Sequence, residues 1–322
     1  MNLRNVKIFI GPVSKNVVKS VINYCNNTDK IIGLIPSRRQ IDYKSGYVGW
    51  KTREFINYVR KNSKNVIIER DHSGIGQGSI FDTSITSQHI DAMSGMDIIH
   101  VDPWLIYKDY EDGLQETIEY IKYINVVNKN CLFEIGTEQS IREFSVDEFE
   151  KFISDLEYEL GDMFNNIKYA VIQSGTSLKG IKNTGTFDKD RLTKMVSICN
   201  KFGLLSKEHN GDYLKTEDIK IRFELGLSAI NIAPEFGVFE TNILLENMTE
   251  EQKDTFFNIC HESNKWKKWV DKDFNPFDNK IELMKICGHY QFTNKKFLKM
   301  NINLDDLIQE KMYEKIKKIN EL

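Results

Sequence analysis

Eight short runs of apolar and β-branched residues recur along the first 240 positions, and their spacing constrains the fold more than any other feature. The runs begin at residues 7, 31, 65, 97, 131, 169, 203 and 229. Each interval leaves room for a loop and one helix, which is the rhythm of repeated βα units. Continuous rather than alternating apolarity is typical of strands that are buried on both faces of a parallel sheet.

The segments between these runs have helical periodicity. In Val17–Cys25 and Val146–Leu160, apolar residues stand three and four positions apart. Ser145 and Glu148 have the spacing of a capping box at the start of the second segment. Strands that alternate with helices in this way predict an α/β fold, a (β/α)8 TIM barrel, over residues 1–240. A doubly wound open sheet is the alternative, but it usually has a GxGxxG first turn, and the turn here reads GPVSKN.

After Gly237 the pattern changes to helical segments only. We therefore predict that residues 241–322 form a helical extension packed on the barrel. The lysines near the end of the chain alternate with acidic residues, which indicates a solvated helix face.

Composition excludes several classes of partner. The 44 basic and 47 acidic residues give a formal charge of -3, without the positive field that nucleic-acid binding needs. Apolar runs are far shorter than the ~20 residues of a membrane-spanning helix, and the N-terminus does not resemble a signal peptide. The five cysteines form no CxxC pair, which argues against a disulfide framework and a cysteine zinc site. We expect a cytoplasmic protein with no nucleic-acid or membrane partner.

Polar residues gather at the carboxyl ends of the runs, where the catalytic groups of a barrel lie. The third run ends in Asp71-His72, and the seventh ends in the sequence Lys207–Asn210. Imidazoles and carboxylates around one cavity are the usual ligand set of a divalent metal. We predict His72 and His209 as metal ligands, with zinc as the preferred ion. The alternative is that these histidines are hydrogen-bonded barrel residues without a metal.

Alternation along the strands sharpens this prediction. Residues two positions apart point to the same face of a strand, so His100 and Asp102 share a face, as do Lys207 and His209. The predicted inward-facing set is His100, Asp102, Glu134, Lys207 and His209.

Several carboxylates are candidates for acid and base chemistry. Glu134, Glu138 and Glu208 could act in this way if burial raises the pKa of each, or they could be salt-bridged as structure. A second hypothesis concerns Lys207, because an inward lysine that is desolvated can form a Schiff base with a ketone.

A loop after the sixth run is a candidate for anion binding. Gly175–Gly185 is rich in glycine, lysine and threonine, so backbone N–H groups with Lys179 or Lys182 could cradle a phosphate. An ordinary flexible loop is the alternative. Further candidates for substrate binding are Arg39, Gln40, His100, Asp102, Glu134, Gln173, Asn210 and Asn231.

One segment resembles a known family, the non-catalytic subunit of class II tagatose-bisphosphate aldolase. Ser37–Val59 is similar to a stretch of that family, and five further short blocks follow in the family's order up to Thr241. The residues that match in the first segment are Ser37, Gln40, Gly46, Tyr47, Gly49, Thr52 and Phe55. The chain resembles a divergent member of this family. The resemblance implies a (β/α)8 barrel that is related to tagatose-6-phosphate aldolases and ketose-phosphate epimerases.

The resemblance also implies a function in carbohydrate metabolism. It suggests a metal-dependent lyase of the aldolase type, or an epimerase, acting on a phosphorylated or otherwise anionic sugar. The alternative is a non-catalytic subunit that stabilises a separate class II aldolase subunit. Independently of this choice, we expect a homo-oligomer. By the same resemblance Asp71 is a candidate base, His72 and His209 are metal ligands, and Glu138 is a substrate or acid/base contact.

The chain departs from the family pattern at three places. The family has an acidic, histidine-containing block after the sixth strand, where this chain has Gln173–Gly180. Arg39 stands where the family has asparagine, and Pro103-Trp104 stands where the family has a small residue after Asp102. If the family histidine is a ligand, the metal site here is altered and the substrate differs from tagatose bisphosphate. The basic residues Arg39, Lys179 and Lys182 favour an anionic group on the substrate.

Overall fold

Eight parallel strands close into a barrel in the computed structural model, which describes residues 3–78 and 82–321. The strands are β1 (Ile8–Ile10), β2 (Ile32–Leu34), β3 (Val66–Ser73), β4 (Ile98–Val101), β5 (Leu132–Ile135), β6 (Ile167–Ile172), β7 (Leu205–Glu208) and β8 (Ala229–Ile232). Each strand pairs with its neighbours in chain order, and β1 also pairs with β8. The predicted (β/α)8 barrel is confirmed.

One helix follows each strand. These helices are α1 (Lys15–Thr28), α2 (Thr52–Asn62), α3 (Ser84–Ala92), α4 (Tyr110–Val127), α5 (Val146–Leu160), α6 (Lys189–Lys201), α7 (Thr216–Glu224) and α8 (Pro234–Asn247). Their starts follow the sequence signals: Ser145 Oγ accepts a hydrogen bond from the Glu148 N–H at 3.0 Å, which satisfies a free backbone donor of α5. A short antiparallel hairpin, Leu178–Lys179 with Lys182–Asn183, lies between β6 and α6.

The remainder of the chain is helical. It forms α9 (Glu250–Ser263), α10 (Lys280–Cys287), α11 (Lys295–Lys299) and α12 (Asp305–Asn320). Helix α12 packs along α1, and α10 packs against α8 and α9. Because α8 runs through residue 240, the predicted boundary falls inside this helix. In the described part of the chain, no helix has the length and apolarity that a membrane crossing requires, and all five cysteines are free and buried.

The interior of the barrel contains a small apolar cluster, separate from the larger core between strands and helices. Its buried members are Val6, Phe9, Ile35, Ile67, Ile98, Tyr169 and Ala229. The rings of Phe9 and Tyr169 meet edge to face, with centroids 5.5 Å apart. This apolar plug fills the lower barrel, so polar groups are confined to the positions further along the strands, toward their carboxyl ends.

Candidate active site

A buried ion trio lies directly above the apolar plug. Glu69, Glu134 and Lys207 stand two positions beyond inward-facing residues of β3, β5 and β7, so alternation points them into the barrel. Lys207 Nζ lies 2.6 Å from both Glu69 Oε2 and Glu134 Oε2, and the side chains are at most 1% exposed. Lys207 Nζ also lies 3.8 Å from the centroid of the Phe9 ring. Two carboxyls thus share one buried ammonium.

The trio fixes the charge state of its lysine. Burial lowers the pKa of Lys207, but Glu134 and Glu69 outweigh burial and raise it. Burial likewise raises the pKa of Glu134, but Lys207 outweighs it and holds this pKa well below its usual range. The pKa of Glu69 is raised by burial and then by Glu134. A charged lysine that is paired with two carboxyls is a poor nucleophile. This environment therefore does not favour the hypothesis that Lys207 forms a Schiff base.

Three histidine rings and one carboxylate converge above the trio. One potential ligand atom each from Asp71, His72, His100 and His209 lies within 4.8 Å of the others. His72 Nε2 and His100 Nδ1 are each 3.8 Å from Asp71 Oδ1. We call these four residues the histidine cluster. It unites the predicted ligands His72 and His209 with His100, which the sequence had suggested only as a substrate contact.

The second ring nitrogen of each histidine has an acceptor of its own. The pairs are His72 Nδ1 with Asp102 Oδ2 at 2.6 Å, His100 Nε2 with the Gly136 carbonyl at 3.0 Å, and His209 Nε2 with Glu134 Oε1 at 3.0 Å. Asp102 Oδ2 also accepts a hydrogen bond from Thr137 Oγ1 at 3.1 Å. Such partners fix the orientation and tautomer of a metal-binding histidine. The other ring nitrogens of His72 and His209 are therefore available to the cluster, whereas His100 Nδ1 accepts a hydrogen bond from the His72 N–H at 3.2 Å.

An irregularity in β3 aims His72 into the barrel mouth. The register between β3 and β4 shifts between Arg70 and Ser73, and His72 has a φ of 46°, which is rare for a residue with a β-carbon. The His72 N–H donates to His100 Nδ1 at 3.2 Å. Arg70 points outward, where its Nε lies 3.1 Å from Asp91 Oδ1 and anchors the bulged strand. The strained backbone is thus held by neighbours on both faces of the sheet.

The electrostatics of the cluster favour a positive charge at its centre. Burial lowers the pKa of His72, but Asp71 and Asp102 outweigh burial and raise it to about 10. Burial raises the pKa of Asp71, but His72 and the other two histidines outweigh burial and lower it. For His209 burial prevails and lowers the pKa. An ionised carboxylate beside the neutral imidazole of His209 is a suitable donor pair for a divalent cation, and His72 would release its proton on binding the metal.

One observation tests whether these residues fit a metal. Asp71 Oδ1 is buried and has no hydrogen-bond partner among residues 3–78 and 82–321. A buried carboxylate oxygen without a partner is costly, and coordination to a cation would satisfy it. Three nitrogens and one carboxylate oxygen from four side chains match the donor set and number of a tetrahedral zinc site.

Two predicted residues form the rim next to the cluster. Asn210 Nδ2 donates to Glu138 Oε2 at 2.6 Å, and Asn210 has a φ of 59°, which asparagine tolerates better than most residues. Ser140 Oγ donates to the other oxygen of Glu138 at 2.7 Å. The negative charge of Glu138 contributes to the raised pKa of His72. Glu138 is therefore placed where it faces the cluster.

Two other predicted substrate-binding residues differ in whether their side-chain amides already have a hydrogen-bond partner. Asn231, on β8, is 5% exposed, and neither its amide nitrogen nor its amide oxygen has a partner in the described structure. An unsatisfied buried amide at the barrel mouth is available to bind a hydroxyl. Gln40 Oε1 accepts a hydrogen bond from the Ser37 N–H at 2.7 Å and so helps to fold the loop after β2.

Four predicted residues lie away from the cluster. Glu208 points outward, since it stands between inward Lys207 and His209, and its Oε2 lies 2.8 Å from Arg222 Nε. Gln173 accepts from the backbone of Phe144 and donates to two backbone carbonyls. Lys179 and Lys182 lie on the exposed hairpin, where Lys179 Nζ is 2.7 Å from Asp271 Oδ1.

The sequence reading missed several residues at the mouth. Glu69 stands two positions before Asp71 on the same strand, so the alternation rule could have identified it. Tyr47 is half-buried, and its pKa is raised first by burial and further by Tyr290 and Asp71, which places it near the cluster. No local sequence signal indicates that Tyr290, from the C-terminal extension, reaches this region.

Comparison with solved structures identifies proteins of the same architecture. A probable tagatose 6 phosphate kinase from Sinorhizobium meliloti 1021 gives a TM-score of 0.75 at 13% identity, over 95% of this chain and 87% of that chain. The fructuronate-tagaturonate epimerase UxaE from Cohnella laeviribosi gives 0.66 at 11% identity, over 99% and 81%. The YdjI aldolase from Escherichia coli K12 gives 0.56 at 13% identity, over 98% and 92%.

These likenesses establish the fold. No family model and no curated protein sequence matches the chain.

Proposed function

We propose that this protein is a metal-dependent enzyme, an aldolase-type lyase or an epimerase, that acts on a phosphorylated or otherwise anionic sugar. The observation that carries the proposal is the histidine cluster, with Asp71 facing three histidines whose rings are each held by a separate acceptor. The structural neighbours include an aldolase and a sugar-acid epimerase by name, and this supports the same reaction class. A cytoplasmic location, a homo-oligomer and an aldolase partner subunit stay predictions.

The cluster would hold the metal through His72, His100 and His209, which would leave a fourth position for substrate and Asp71 as the base. A bound divalent ion, with zinc the first choice, supplies a Lewis acid that polarises the carbonyl and hydroxyl oxygens of a ketose. The lowered pKa of Asp71 keeps its carboxylate ionised at neutral pH, so it is able to accept a proton.

The chemistry follows from one proton transfer. Asp71 takes the proton of the hydroxyl on the carbon β to the ketone, the bond between the α and β carbons breaks, and its electron pair stays on the α carbon. The β carbon leaves as an aldehyde. If the aldehyde turns before the bond re-forms, the product is an epimer instead. The unpaired amide of Asn231 and the rim carboxylate of Glu138 are placed to bind sugar hydroxyls.

Metal binding is the experiment that tests this proposal. After chelation and dialysis, the full-length protein should bind close to one equivalent of zinc by calorimetry. The variants His100→Ala and His209→Ala should bind at least tenfold more weakly, because each removes a donor. His89→Ala is the matched control, since His89 is an exposed residue of α3 that contacts Tyr123 Oη at 3.1 Å. Zinc affinities that are equal in all three variants and the wild type would refute the ligand assignment.

Activity separates the enzyme from the partner-subunit alternative. The zinc-loaded protein alone should cleave or epimerise at least one member of a panel of ketose phosphates and keto sugar acids. Activity that appears only after a separate class II aldolase subunit is added would support the non-catalytic role. In that case the histidine variants would leave the stimulated rate unchanged.

A further inference from the structure

Residues 264–293 of the C-terminal extension, which we call the strap, cross the mouth of the barrel. At one end the Trp269 carbonyl accepts a hydrogen bond at 2.9 Å from the Gly180 N–H, in the hairpin after β6. At the other end Thr293 Oγ1 donates to the Tyr47 carbonyl at 2.8 Å, in the loop after β2. Strands β2 and β6 are four positions apart in either direction around the closed barrel, so they lie on opposite sides of it. A segment that is fixed to both loops therefore spans the mouth.

Ring contacts continue between the two ends of the strap. Lys268 Nζ lies 4.4 Å from the centroid of the Trp269 ring and 5.7 Å from that of the Tyr290 ring. The Tyr290 ring lies 4.8 Å from the ring of Tyr47, and the His289 ring lies 5.7 Å from it, centroid to centroid. The strap is thus packed from the hairpin on one side of the mouth to the loop after β2 on the other.

The histidine cluster lies at this mouth and is largely shielded from solvent. The side chains of His100 and His209 are 0% and 3% exposed, and those of Asp71 and His72 are 16% and 18% exposed. The loop that carries the hairpin also borders the cluster, because Thr176 Oγ1 donates to the His209 carbonyl at 2.8 Å. A molecule as large as a sugar cannot contact side chains that are buried to this degree unless part of the mouth opens.

The contact between the strap and the hairpin is weak. In addition to the hydrogen bond of Gly180, it contains an ion pair, in which Lys179 Nζ lies 2.7 Å from Asp271 Oδ1 and the two side chains are 52% and 66% exposed. An ion pair with this exposure adds little stability. Two cavities of about 440 and 530 Å³ lie between the hairpin and residues 269–285. Little close packing therefore holds the strap on this side.

The opposite end of the strap is firmly packed. His289 is 2% exposed, and its ring lies so close to the first turn of α8 that a β-carbon at Gly237 would be 2.7 Å from His289 Cγ. Helix α10, which precedes His289, packs against α8 and α9. Residues 264–279, between α9 and α10, contain only a short 3-10 helix in the described structure. Loops of this length in compact domains are commonly active-site lids. The strap thus has one fixed end and one end that is easily released.

We propose that the strap and the hairpin after β6 form a gate over the histidine cluster, which opens at their mutual contact and stays fixed at His289. Opening admits the sugar and releases the product, and closure excludes water from the reacting groups. The catalytic role of the gate rests on the proposed function, whereas its opening requires neither a metal nor turnover.

The test measures chemical access to the cluster in the metal-free, full-length protein. Diethyl pyrocarbonate modifies accessible imidazoles, and peptide mass spectrometry gives the rate for each histidine. Lys179→Cys combined with Asp271→Cys allows a short bismaleimide to lock the gate, since the five native cysteines are buried. The lock should slow modification of His72 and His209 about tenfold or more, because the reaction depends on the population of the open form. Exposed His89 should react at an unchanged rate.

A second crosslink controls for the chemistry of the lock. Glu150→Cys combined with Lys201→Cys joins α5 to α6 at another exposed ion pair, of 2.6 Å, on the outside of the barrel. This crosslink should leave the modification rates of the cluster unchanged. A single substitution tests the opposite direction: Asp271→Asn removes the ion pair of the gate and should speed modification of His72 about two- to fivefold. Glu150→Gln is its matched control and should have no effect.

The rates decide the proposal. Slower modification only with the lock across the gate, together with faster modification in Asp271→Asn, supports it. Equal rates for His72 and His209 in the locked and unlocked proteins overturn it, and so does an equal slowing by the control crosslink. Because the protein contains no metal in this assay, a failure of the proposed zinc binding is distinguishable from a failure of the gate.

Discussion

Replacing Lys207 by methionine gives the sharpest test of the buried ion trio. The substitution removes the one ammonium that lies 2.6 Å from oxygens of both Glu69 and Glu134, while a side chain of similar length still packs on Phe9. Two carboxyls that are at most 1% exposed then lose their counter-ion. Breaking a buried pair in this way costs about 3–5 kcal/mol, because a buried charge is left uncompensated. We expect Lys207→Met to lose that much of its free energy of unfolding.

Lys201→Met is the control for the lost charge itself. Lys201 Nζ lies 2.6 Å from Glu150 Oε1, the same distance as in the trio, but the lysine side chain is 63% exposed. A surface pair of this kind contributes at most about 1 kcal/mol. Guanidinium unfolding of both variants at pH 7.5, followed by circular dichroism, compares the two losses directly. The reasoning is refuted if Lys207→Met loses no more stability than Lys201→Met.

The two carboxyls of the trio provide a second comparison that does not require the lysine variant to fold. Glu134→Gln should cost more stability than Glu69→Gln, because the pKa of Glu134 is lowered while that of Glu69 is raised. Because its pKa is raised, Glu69 takes up a proton more readily than Glu134 and is the closer of the two to glutamine. Equal losses would show that the charge is shared evenly between the two residues.

Two further predictions concern other parts of the molecule. Burial and then Glu235 raise the pKa of Asp212 to about 8, so the folded state retains a proton that the unfolded state releases, and stability falls as pH rises from about 4 toward 8. Asp212→Asn removes this contribution, so its unfolding free energy should fall less than that of the wild type between pH 5 and 9; parallel curves would contradict this. Gly175→Ala should lower the melting temperature more than Gly203→Ala: both glycines have positive φ, but a β-carbon at Gly175 would lie 1.9 Å from a carbonyl oxygen, whereas at Gly203 nothing lies within 4 Å. Equal shifts would mean that the loop adjusts.

The barrel and the inward face of the site could be predicted because both follow from short-range patterns. Strand alternation correctly placed His100, Glu134 and Lys207 among the fully buried groups of the interior. The same rule turns Glu208 away from the mouth, because it is the neighbour of two inward residues. A list of the polar residues at the end of a run does not separate inward from outward side chains, whereas the alternation of residues along the strand does.

The rest of the site depends on contacts that are distant in sequence. His100 has no carboxylate immediately next to it in the chain. Its likeness to His72 and His209 appears only once three strands bring the rings within about 5 Å of one another, with the His100 and His209 centroids 4.8 Å apart. Tyr290 reaches the mouth through the packing of the C-terminal extension, which brings its ring to 4.8 Å from that of Tyr47. Local periodicity carries no information on such packing.

Glu134 belongs to both polar layers of the barrel. One of its oxygens lies 2.6 Å from Lys207 Nζ and the other lies 3.0 Å from His209 Nε2, so a single carboxylate joins the ion trio to the histidine cluster. Any change of charge in the cluster therefore alters the same side chain that balances the lysine at the centre of the barrel. Occupancy of the site and stability of the fold are then thermodynamically linked, and the melting temperature should rise with the logarithm of zinc concentration once this exceeds the dissociation constant. The melting temperature of this protein would therefore report whether zinc is bound in the barrel.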